Sequence, residues 1–237
     1  MPRFWPLAIV PLGDLAAYVE FSRTLDLEVN AFVQQLGGAL ARAVQERGPG
    51  SIRDIVPALG GLALHFDPEF EGDPLEAAAA LVEACMKARL PAAGELGRRI
   101  EVPVCYEPRF ALDLEEISEK TAIPKEKIAA LHCASEYRVL MVGFAPGHAY
   151  MGGLDPKLAL PRRANPRAEV PAGSVAIANQ QTVVYPYAIS GGWSVLGRTP
   201  LAVFDAARER PSLFVAGDRV RFHAVTGEEF LELAGRK

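Results

Sequence analysis

The chain has 237 residues, half of them hydrophobic, and a formal net charge of −4 at pH 7. A chain of this length and composition can bury a substantial core, so we expect a folded protein without extensive disorder. Its basic residues are interleaved with acidic ones and form no stripe that could neutralise phosphates, which argues against nucleic-acid binding.

Cysteine usage and the N-terminal segment indicate the compartment. Cys85, Cys105 and Cys133 lie far apart and form no Cys-x-x-Cys motif, so neither a disulfide framework nor a zinc site is predicted. The apolar residues 4–12 are interrupted by two prolines and followed at once by Gly13-Asp14, unlike a signal peptide or a membrane span. We therefore predict a cytoplasmic protein that does not associate with membranes.

The first part of the chain has the pattern of a small α+β domain. Apolar residues recur at helical spacing after Asp26 and after Asp73-Pro74, and in both places an Asp stands at the N-cap position. The predicted elements are a strand at Leu15–Phe21, a helix ended by Gly48-Pro49-Gly50, a hairpin of strands Ile52–Pro57 and Leu62–Phe66, and a second helix ending near Leu90. This order predicts an N-terminal α+β domain at residues 1–90, with helices on one face of an antiparallel sheet.

The rest of the chain predicts a second domain at residues 98–237. After a linker at Pro91–Gly97, the predicted elements are a strand at Arg99–Tyr106, a helix capped by Asp113 that ends near Thr121, and a helix from Pro124 to about Ser135. Short β-branched or aromatic runs then alternate with Gly/Pro turns, at Val139–Phe144, Ser174–Ala178, Thr182–Tyr187, Trp193–Leu196, Leu201–Phe204, Arg219–Ala224 and Glu229–Leu233. These runs predict a β-barrel or a β-sandwich.

Several familiar sites are absent from the sequence. There is no Gly-x-x-x-x-Gly-Lys-[Ser/Thr] phosphate loop and no dinucleotide-binding glycine pattern. The four histidines form no close pair, so no metal site is predicted. Ser174 lacks the flanking glycine of a nucleophile elbow, and no basic neighbour is visible that would activate a cysteine. No covalent catalyst is evident.

The most informative run, Gly143–Pro156, leaves a predicted strand and enters a Gly/Pro-rich turn with aromatic and histidine side chains. Glycines let backbone approach a ligand closely. The following run Pro161–Arg167 places three guanidinium groups on a proline-stiffened loop that could bind a carboxylate. Three further distinctive blocks are Val170–Ala178, Gln180–Pro186 and Gly191–Pro200.

Together these blocks closely resemble the family that contains the B subunit of 5-oxoprolinase, the sporulation-kinase inhibitor KipI, and the protein formerly called allophanate hydrolase subunit 1. The resemblance continues outward through Leu131–Arg138 and Gly217–Phe222, and more weakly to Gly13-Asp14. It implies an α+β protein with a small N-terminal α+β domain followed by a cyclophilin-like β-barrel domain. Three residues depart from the family pattern: Ala145 stands where Leu is usual, His148 where Phe is usual, and Val183 where Gly is usual.

The resemblance implies that the chain is the B subunit of an ATP-dependent 5-oxoprolinase, which opens the lactam of 5-oxoproline to give glutamate. Its partners would be the A subunit and a KipA-like C subunit, with ATP and Mg acting in the assembled complex. One alternative is a KipI-type inhibitor of a sensor histidine kinase. Another is a carboxyltransferase-type subunit of a biotin-dependent urea or amide carboxylase.

The site predicted on this basis combines acid/base, cationic and neutral hydrogen-bonding groups. We predict catalytic roles for His148, Arg162 and Gln181, substrate-binding roles for Tyr150, Gly152, Gly153, Tyr185, Arg198 and His132, and no metal ligands. For each histidine a purely structural role is the alternative. We expect one of the three loop arginines to reach a ligand, and we expect Phe144 and Trp193 to lie in the core.

Overall fold

The computed structural model describes residues 4–47, 52–88 and 97–235. The chain divides into two units, residues 1–96 and 97–237. The predicted domain limits of 1–90 and 98–237 stay a prediction. Residues 48–50 and 91–96, where a helix end and the linker were predicted, lie outside the described residues.

The first unit is a four-stranded antiparallel sheet with two helices. Its elements are β1 (Ala8–Pro11), β2 (Ala16–Glu20), α1 (Leu27–Arg47), β3 (Ile52–Pro57), β4 (Gly61–Phe66) and α2 (Pro74–Lys87). The strands are ordered β1-β2-β4-β3, and alternate residues such as Val19, Leu62 and Leu64 pack with both helices in one core. Every predicted element is confirmed, whereas β1 was not predicted.

Both helices of this unit begin at the predicted aspartates. The Asp26 carboxylate accepts hydrogen bonds from the backbone N–H groups of Glu28 at 2.8 Å and Val29 at 3.1 Å. The Asp73 carboxylate accepts one from Leu75 at 2.7 Å, directly after Pro74 at the first helical position. Each side chain therefore satisfies N–H groups that the helix itself leaves without a partner.

The second unit is a seven-stranded sheet that is nearly closed into a barrel. Its elements are β5 (Arg99–Val104), α3 (Leu114–Thr121), α4 (Lys125–Ala134), β6 (Glu136–Val142), β7 (Ala149–Gly152), β8 (Arg167–Val170), β9 (Ser174–Ala178), β10 (Gln181–Val184), β11 (Ile189–Gly191), β12 (Ser194–Arg198), β13 (Arg219–Ala224) and α5 (Gly227–Gly235). The order is β12-β9-β10-β7-β6-β13-β5. The two outermost strands meet where Cys105 and Arg198 exchange backbone hydrogen bonds of 2.8 and 3.0 Å.

Side chains along the barrel strands point alternately inward and outward, and both sets form apolar layers. Inward-facing residues such as Val139, Met151 and Val184 form the barrel core. Outward-facing residues of β9 and β10 form a second cluster with Trp193 and with Val170 of β8. Strands β8 and β11 pair only with each other, as a two-stranded ribbon. The ribbon thus covers part of the outer face of the barrel sheet, and this arrangement creates the pocket described below.

Several predictions in the second unit are wrong. Glu229–Leu233 was expected to be a strand but lies in α5, where Thr226 and Glu229 form a capping box with hydrogen bonds of 2.7 and 3.2 Å. Leu201–Phe204 forms no strand and makes an isolated bridge between Phe204 and Ser212. Strands β7, β8 and β11 were not predicted, because they are short and flanked by glycine or proline.

The cap of α2 provides a test of the first unit. Replacing Asp73 with Ala leaves helical N–H groups without their acceptor and should lower the free energy of unfolding by about 1 kcal/mol. Urea denaturation followed by circular dichroism measures the change. The matched control is Glu83→Ala, which removes an exposed ion pair with Lys87 and should have a smaller effect. Equal effects of the two substitutions would contradict the capping role.

Candidate functional site

A pocket of about 220 Å³ lies on the outer face of the barrel sheet, next to the ribbon. Its walls are mainly aromatic side chains and glycine backbone, and none of the residues that line it is acidic. The lining includes Phe144, His148, Tyr150, Tyr185, Trp193 and Gly191-Gly192, together with Arg162. Such a pocket suits a small, flat, neutral or anionic group.

Gly191 explains how the ribbon can lie so close to the barrel. A Cβ atom added at Gly191 would lie 2.1 Å from the Tyr185 hydroxyl oxygen, a distance that real Cβ atoms do not adopt. The absence of a side chain therefore lets the Tyr185 hydroxyl reach the ribbon. Burial raises the pKa of this hydroxyl to about 12, and its hydrogen bond to the Trp193 backbone opposes the rise. Tyr185 is thus a neutral, fixed wall of the pocket.

His148 lies among aromatic rings at the start of β7. Its ring centroid is 4.9 Å from that of Tyr150 and 5.4 Å from those of Phe144 and Tyr185. The side chain is buried, and no described residue hydrogen bonds to its Nδ1 atom. Burial lowers the pKa of the imidazole to about 4. The ring is therefore neutral at neutral pH, which suits it to hydrogen bonding and not to donating a proton.

Two arginines line the pocket, Arg162 and Arg163. The guanidinium carbon of Arg162 lies 5.6 Å from the centroid of the Trp193 ring, within the range of a cation–π contact. Burial raises the pKa of the Tyr150 hydroxyl, and the nearby charge of Arg162 opposes the rise. Within residues 4–47, 52–88 and 97–235, no carboxylate forms an ion pair with Arg162. Its charge is available to an anionic ligand group.

The other two loop arginines bind Asp113 instead. Arg163 Nη1 lies 2.9 Å from Asp113 Oδ1, and Arg167 binds both carboxylate oxygens at 2.5 and 2.8 Å. Arg163 also donates to Glu116, and Asp113 Oδ2 accepts the backbone N–H of Val195 at 2.7 Å. Of the three arginines, Arg163 and Arg167 are therefore held in ion pairs within the protein.

Asp113 was predicted to cap α3, and this prediction is wrong for its side chain. The residue precedes α3, but its carboxylate makes no capping hydrogen bond. It is 3% exposed and joins the loop at residues 161–167 to β12. Asp113 precedes Arg163 by 50 residues in the sequence, so no local pattern could predict the contact between them.

The remaining predicted site residues lie outside the pocket. Gln181 and Gly152 pair with each other at the far end of β7 and β10, whereas Ala149 and Val184 pair at the end near His148. Gln181 is buried, and its Nε2 atom has no hydrogen-bond partner among the described residues. Gly153 has a φ of +106°, in a region that favours glycine. The structure therefore brings together His148, Arg162, Tyr150 and Tyr185, without Gln181, Gly152 and Gly153.

Arg198 and His132 make structural contacts elsewhere. Arg198 Nε donates to the carbonyl of Ala172 at 2.7 Å. His132 is fully buried, with Nδ1 2.8 Å from the Tyr106 hydroxyl and Nε2 3.2 Å from Thr182 Oγ1. Because the Thr182 hydroxyl donates to a backbone carbonyl, its oxygen accepts from Nε2–H, and Nδ1 accepts from Tyr106. Burial lowers the pKa of His132 to about 3. These contacts support the structural alternative for His132.

Two aromatic residues complete the comparison with the sequence. Trp193 is 5% exposed, which confirms its place in the core, although it also lines the pocket. Phe144 is 69% exposed, so the expectation that it lies in the core is wrong.

In the described part of the chain, no three His, Cys, Asp or Glu side chains are grouped so that they could hold a metal ion. None of the described helices is long and apolar enough to span a membrane.

The Asp113 contacts predict a large stability effect. Asp113→Asn removes the negative charge between two half-buried arginines and should lower the free energy of unfolding by about 3 kcal/mol. The control is Glu115→Gln, which removes an exposed ion pair with Lys125 and should change stability little. Urea denaturation of both variants measures the difference. A loss no larger than that of the control would show that Asp113 does not hold the loop.

The buried imidazole of His148 predicts a dependence of stability on pH. Its pKa is about 4 in the folded state and about 6.5 when unfolded, so acid protonates the unfolded state first. The free energy of unfolding should therefore fall as the pH is lowered from about 6.5 towards 4. His148→Phe removes this contribution and should reduce the loss between about pH 7.5 and about pH 5 by about 2 kcal/mol. Urea unfolding at both pH values tests this, and an unchanged loss would contradict it.

Comparison with known proteins identifies the family. Residues 7–214 match the model of the carboxyltransferase domain, subdomain C and D. The chain is 36% identical to the B subunit of 5-oxoprolinase from Bacillus subtilis (strain 168) over 231 residues, which is 94% of either chain. It is 35% identical to the B subunit of 5-oxoprolinase from Haemophilus influenzae over 216 residues, which cover 90% of this chain and 96% of the other.

A solved structure supports the fold. The crystal structure of TTHA0988 superposes with a TM-score of 0.74 at 36% identity, covering 90% of this chain. This chain spans 40% of that longer chain. The α+β class, with a small N-terminal sheet and a nearly closed barrel, is thus confirmed. The chain belongs to the 5-oxoprolinase B-subunit family of carboxyltransferase C and D domains.

Proposed function

We propose that this chain acts as the B subunit of an ATP-dependent 5-oxoprolinase, and that its outer-face pocket receives the lactam ring of 5-oxoproline. The reaction breaks the amide C–N bond of the ring, adds the elements of water and gives glutamate. Relatives that bear the name of the 5-oxoprolinase B subunit, two of them aligned over at least 90% of both chains, support the activity. The residues that line the pocket support its assignment as the substrate site.

The observation that carries this assignment is Arg162. Its guanidinium group is placed over Trp193 at an aromatic pocket that contains no acidic residue. 5-Oxoproline has one carboxylate, which an arginine can bind with two parallel hydrogen bonds, and one flat amide, which suits aromatic walls. A pocket of about 220 Å³ has room for a five-membered ring with its carboxylate.

Tyr150 and His148 would bind the amide of the lactam. Tyr150 and His148 are neutral hydrogen-bonding side chains that line the same pocket, and an amide offers one donor and one acceptor. We assign His148 a binding role, because its pKa of about 4 leaves it uncharged at neutral pH. The family usually has Phe at this position, which agrees with a chemistry that does not require a proton donor there.

The outer-face pocket does not fit a bound Mg–ATP. The pocket offers no carboxylate for Mg²⁺, and the sequence has no phosphate loop. We therefore propose that ATP and Mg²⁺ are bound elsewhere in the assembled complex. The A subunit and a KipA-like C subunit of 5-oxoprolinase are the proposed partners, and the site would be completed at an interface with them.

The three free thiols support the cytoplasm as the compartment of the protein.

The description of the family model that matches this chain favours a second candidate function. A carboxyltransferase component of a biotin-dependent enzyme would also bind an amide, and the family model is that of a carboxyltransferase domain. The two functions differ in their requirement for biotin. Avidin should abolish the activity of a biotin-dependent enzyme and leave 5-oxoprolinase activity unchanged. Inhibition of a sensor histidine kinase stays an alternative prediction from the sequence.

The proposed function is tested by reconstitution. Co-purification with the candidate A and C subunits, followed by an assay of ATP-dependent glutamate release from 5-oxoproline, measures the activity. We expect release to require this chain. Full activity of the A and C subunits alone would overturn the proposal.

The role of Arg162 is tested in the same complex. Arg162→Ala should raise KM for 5-oxoproline by about 10- to 100-fold, because the substrate carboxylate loses a charged hydrogen-bond partner. The matched control is Arg208→Ala, which removes an exposed arginine that is paired with Asp205. This control should leave KM unchanged. Equal KM values for the two variants would show that Arg162 does not bind the carboxylate.

A further inference from the structure

Phe144 has an unusual backbone conformation for its residue type. Three described residues other than glycine have a positive φ: Ala122 at 56°, Phe144 at 73° and Asn179 at 52°. Ala122 is small and ends α3, and Asn179 lies in the turn between β9 and β10, where asparagine is well tolerated. A bulky aromatic residue in this region is strained. Phe144 is therefore the outlier of the three.

The backbone of the turn does not require a phenylalanine. The turn is closed by hydrogen bonds from Gly143 N–H to the His148 carbonyl and from His148 N–H to the Ala145 carbonyl, both 3.0 Å. Neither bond uses a group of Phe144. In the same turn, Gly147 adopts a φ of +78° without strain, so glycine would serve equally well at position 144. The reason for a phenylalanine at this position must therefore lie in its aromatic ring.

The ring of Phe144 stands at the pocket and not in a core. It is 69% exposed and lines the same pocket as Arg162 and Tyr150. Its edge-to-face contact with His148, at 5.4 Å between centroids, holds it against that wall. Packing within the described chain therefore buries little of this ring, and the strained backbone is not explained by a contribution to the core.

We propose that Phe144 is a ligand-contacting wall of the pocket, which packs against the flat ring of the bound molecule and selects cyclic over open-chain ligands. The strained turn holds the aromatic ring in place before the ligand arrives, so that little side-chain freedom is lost on binding. This inference rests on the proposed function, in which the ligand is a five-membered lactam with a carboxylate. Arg162 binds the carboxylate, and Phe144 contacts the ring face.

The test compares Phe144→Gly with Ala122→Gly, a glycine substitution at a similar φ directly after α3, at a residue that does not line the pocket. Because glycine relieves the strain at either position, neither variant should lower the midpoint of thermal unfolding. In the complex with the A and C subunits, Phe144→Gly should raise KM for 5-oxoproline about fivefold and change kcat less than about twofold. Ala122→Gly should keep the KM of the unsubstituted protein.

The outcomes separate this inference from the proposed function. If the complex releases glutamate and Phe144→Gly keeps the original KM, the role of Phe144 is overturned while the proposed function stands. If the complex has no such activity, binding of pyrrole-2-carboxylate to the chain tests the role of Phe144. This planar ring acid lacks the lactam carbonyl, so its binding does not depend on the proposed reaction. Weaker binding by Phe144→Gly than by Ala122→Gly supports the inference. Equal binding by both variants, or no binding by the unsubstituted chain, overturns it.

Discussion

The candidate site depends on one buried carboxylate, that of Asp113. It accepts hydrogen bonds from two arginines of the loop at residues 161–167 and from the backbone of β12. A buried charge is stable only when it is paired and fully hydrogen bonded, so these partners are fixed together. The same contacts remove Arg163 and Arg167 from competition for a ligand. Of the two arginines that line the pocket, Arg162 and Arg163, only Arg162 has no carboxylate partner among the described residues.

The barrel has a pocket on its outer face because its sheet is apolar on both sides. A small barrel fills its interior with side chains, so a ligand cannot enter there. The ribbon of β8 and β11 covers part of the outer face, and the two layers enclose a pocket between them. His148 and Tyr150 enter this pocket from β7 and its preceding turn, whereas Arg162 enters from the loop before β8.

Local patterns predicted the helices and the longer strands well. Asp26, Asp73 and the spacing of apolar residues are local signals, and the helices that they predicted are confirmed. Family resemblance also predicted the fold class and four residues that the pocket brings together. The strand predicted at Glu229–Leu233 failed because a capping box outweighed the apolar run.

The site as a whole could not be predicted, because it depends on contacts between distant segments. Gln181 and His148 lie in blocks that are equally distinctive, yet the pairing of β7 with β10 places them at opposite ends of the strands. The contact of Asp113 with Arg167 joins residues 54 positions apart. Such register and long-range pairing are set by the whole sheet, and no short motif encodes them.

The Nδ1 atom of His148 is buried, and no described residue hydrogen bonds to it. Removing this nitrogen from water without a hydrogen bond in return lowers the stability of the folded protein. Phenylalanine, which the family usually has at this position, carries no polar atom in its ring and avoids this loss. Histidine at position 148 therefore costs the fold some stability, and local costs of this kind are found at functional sites.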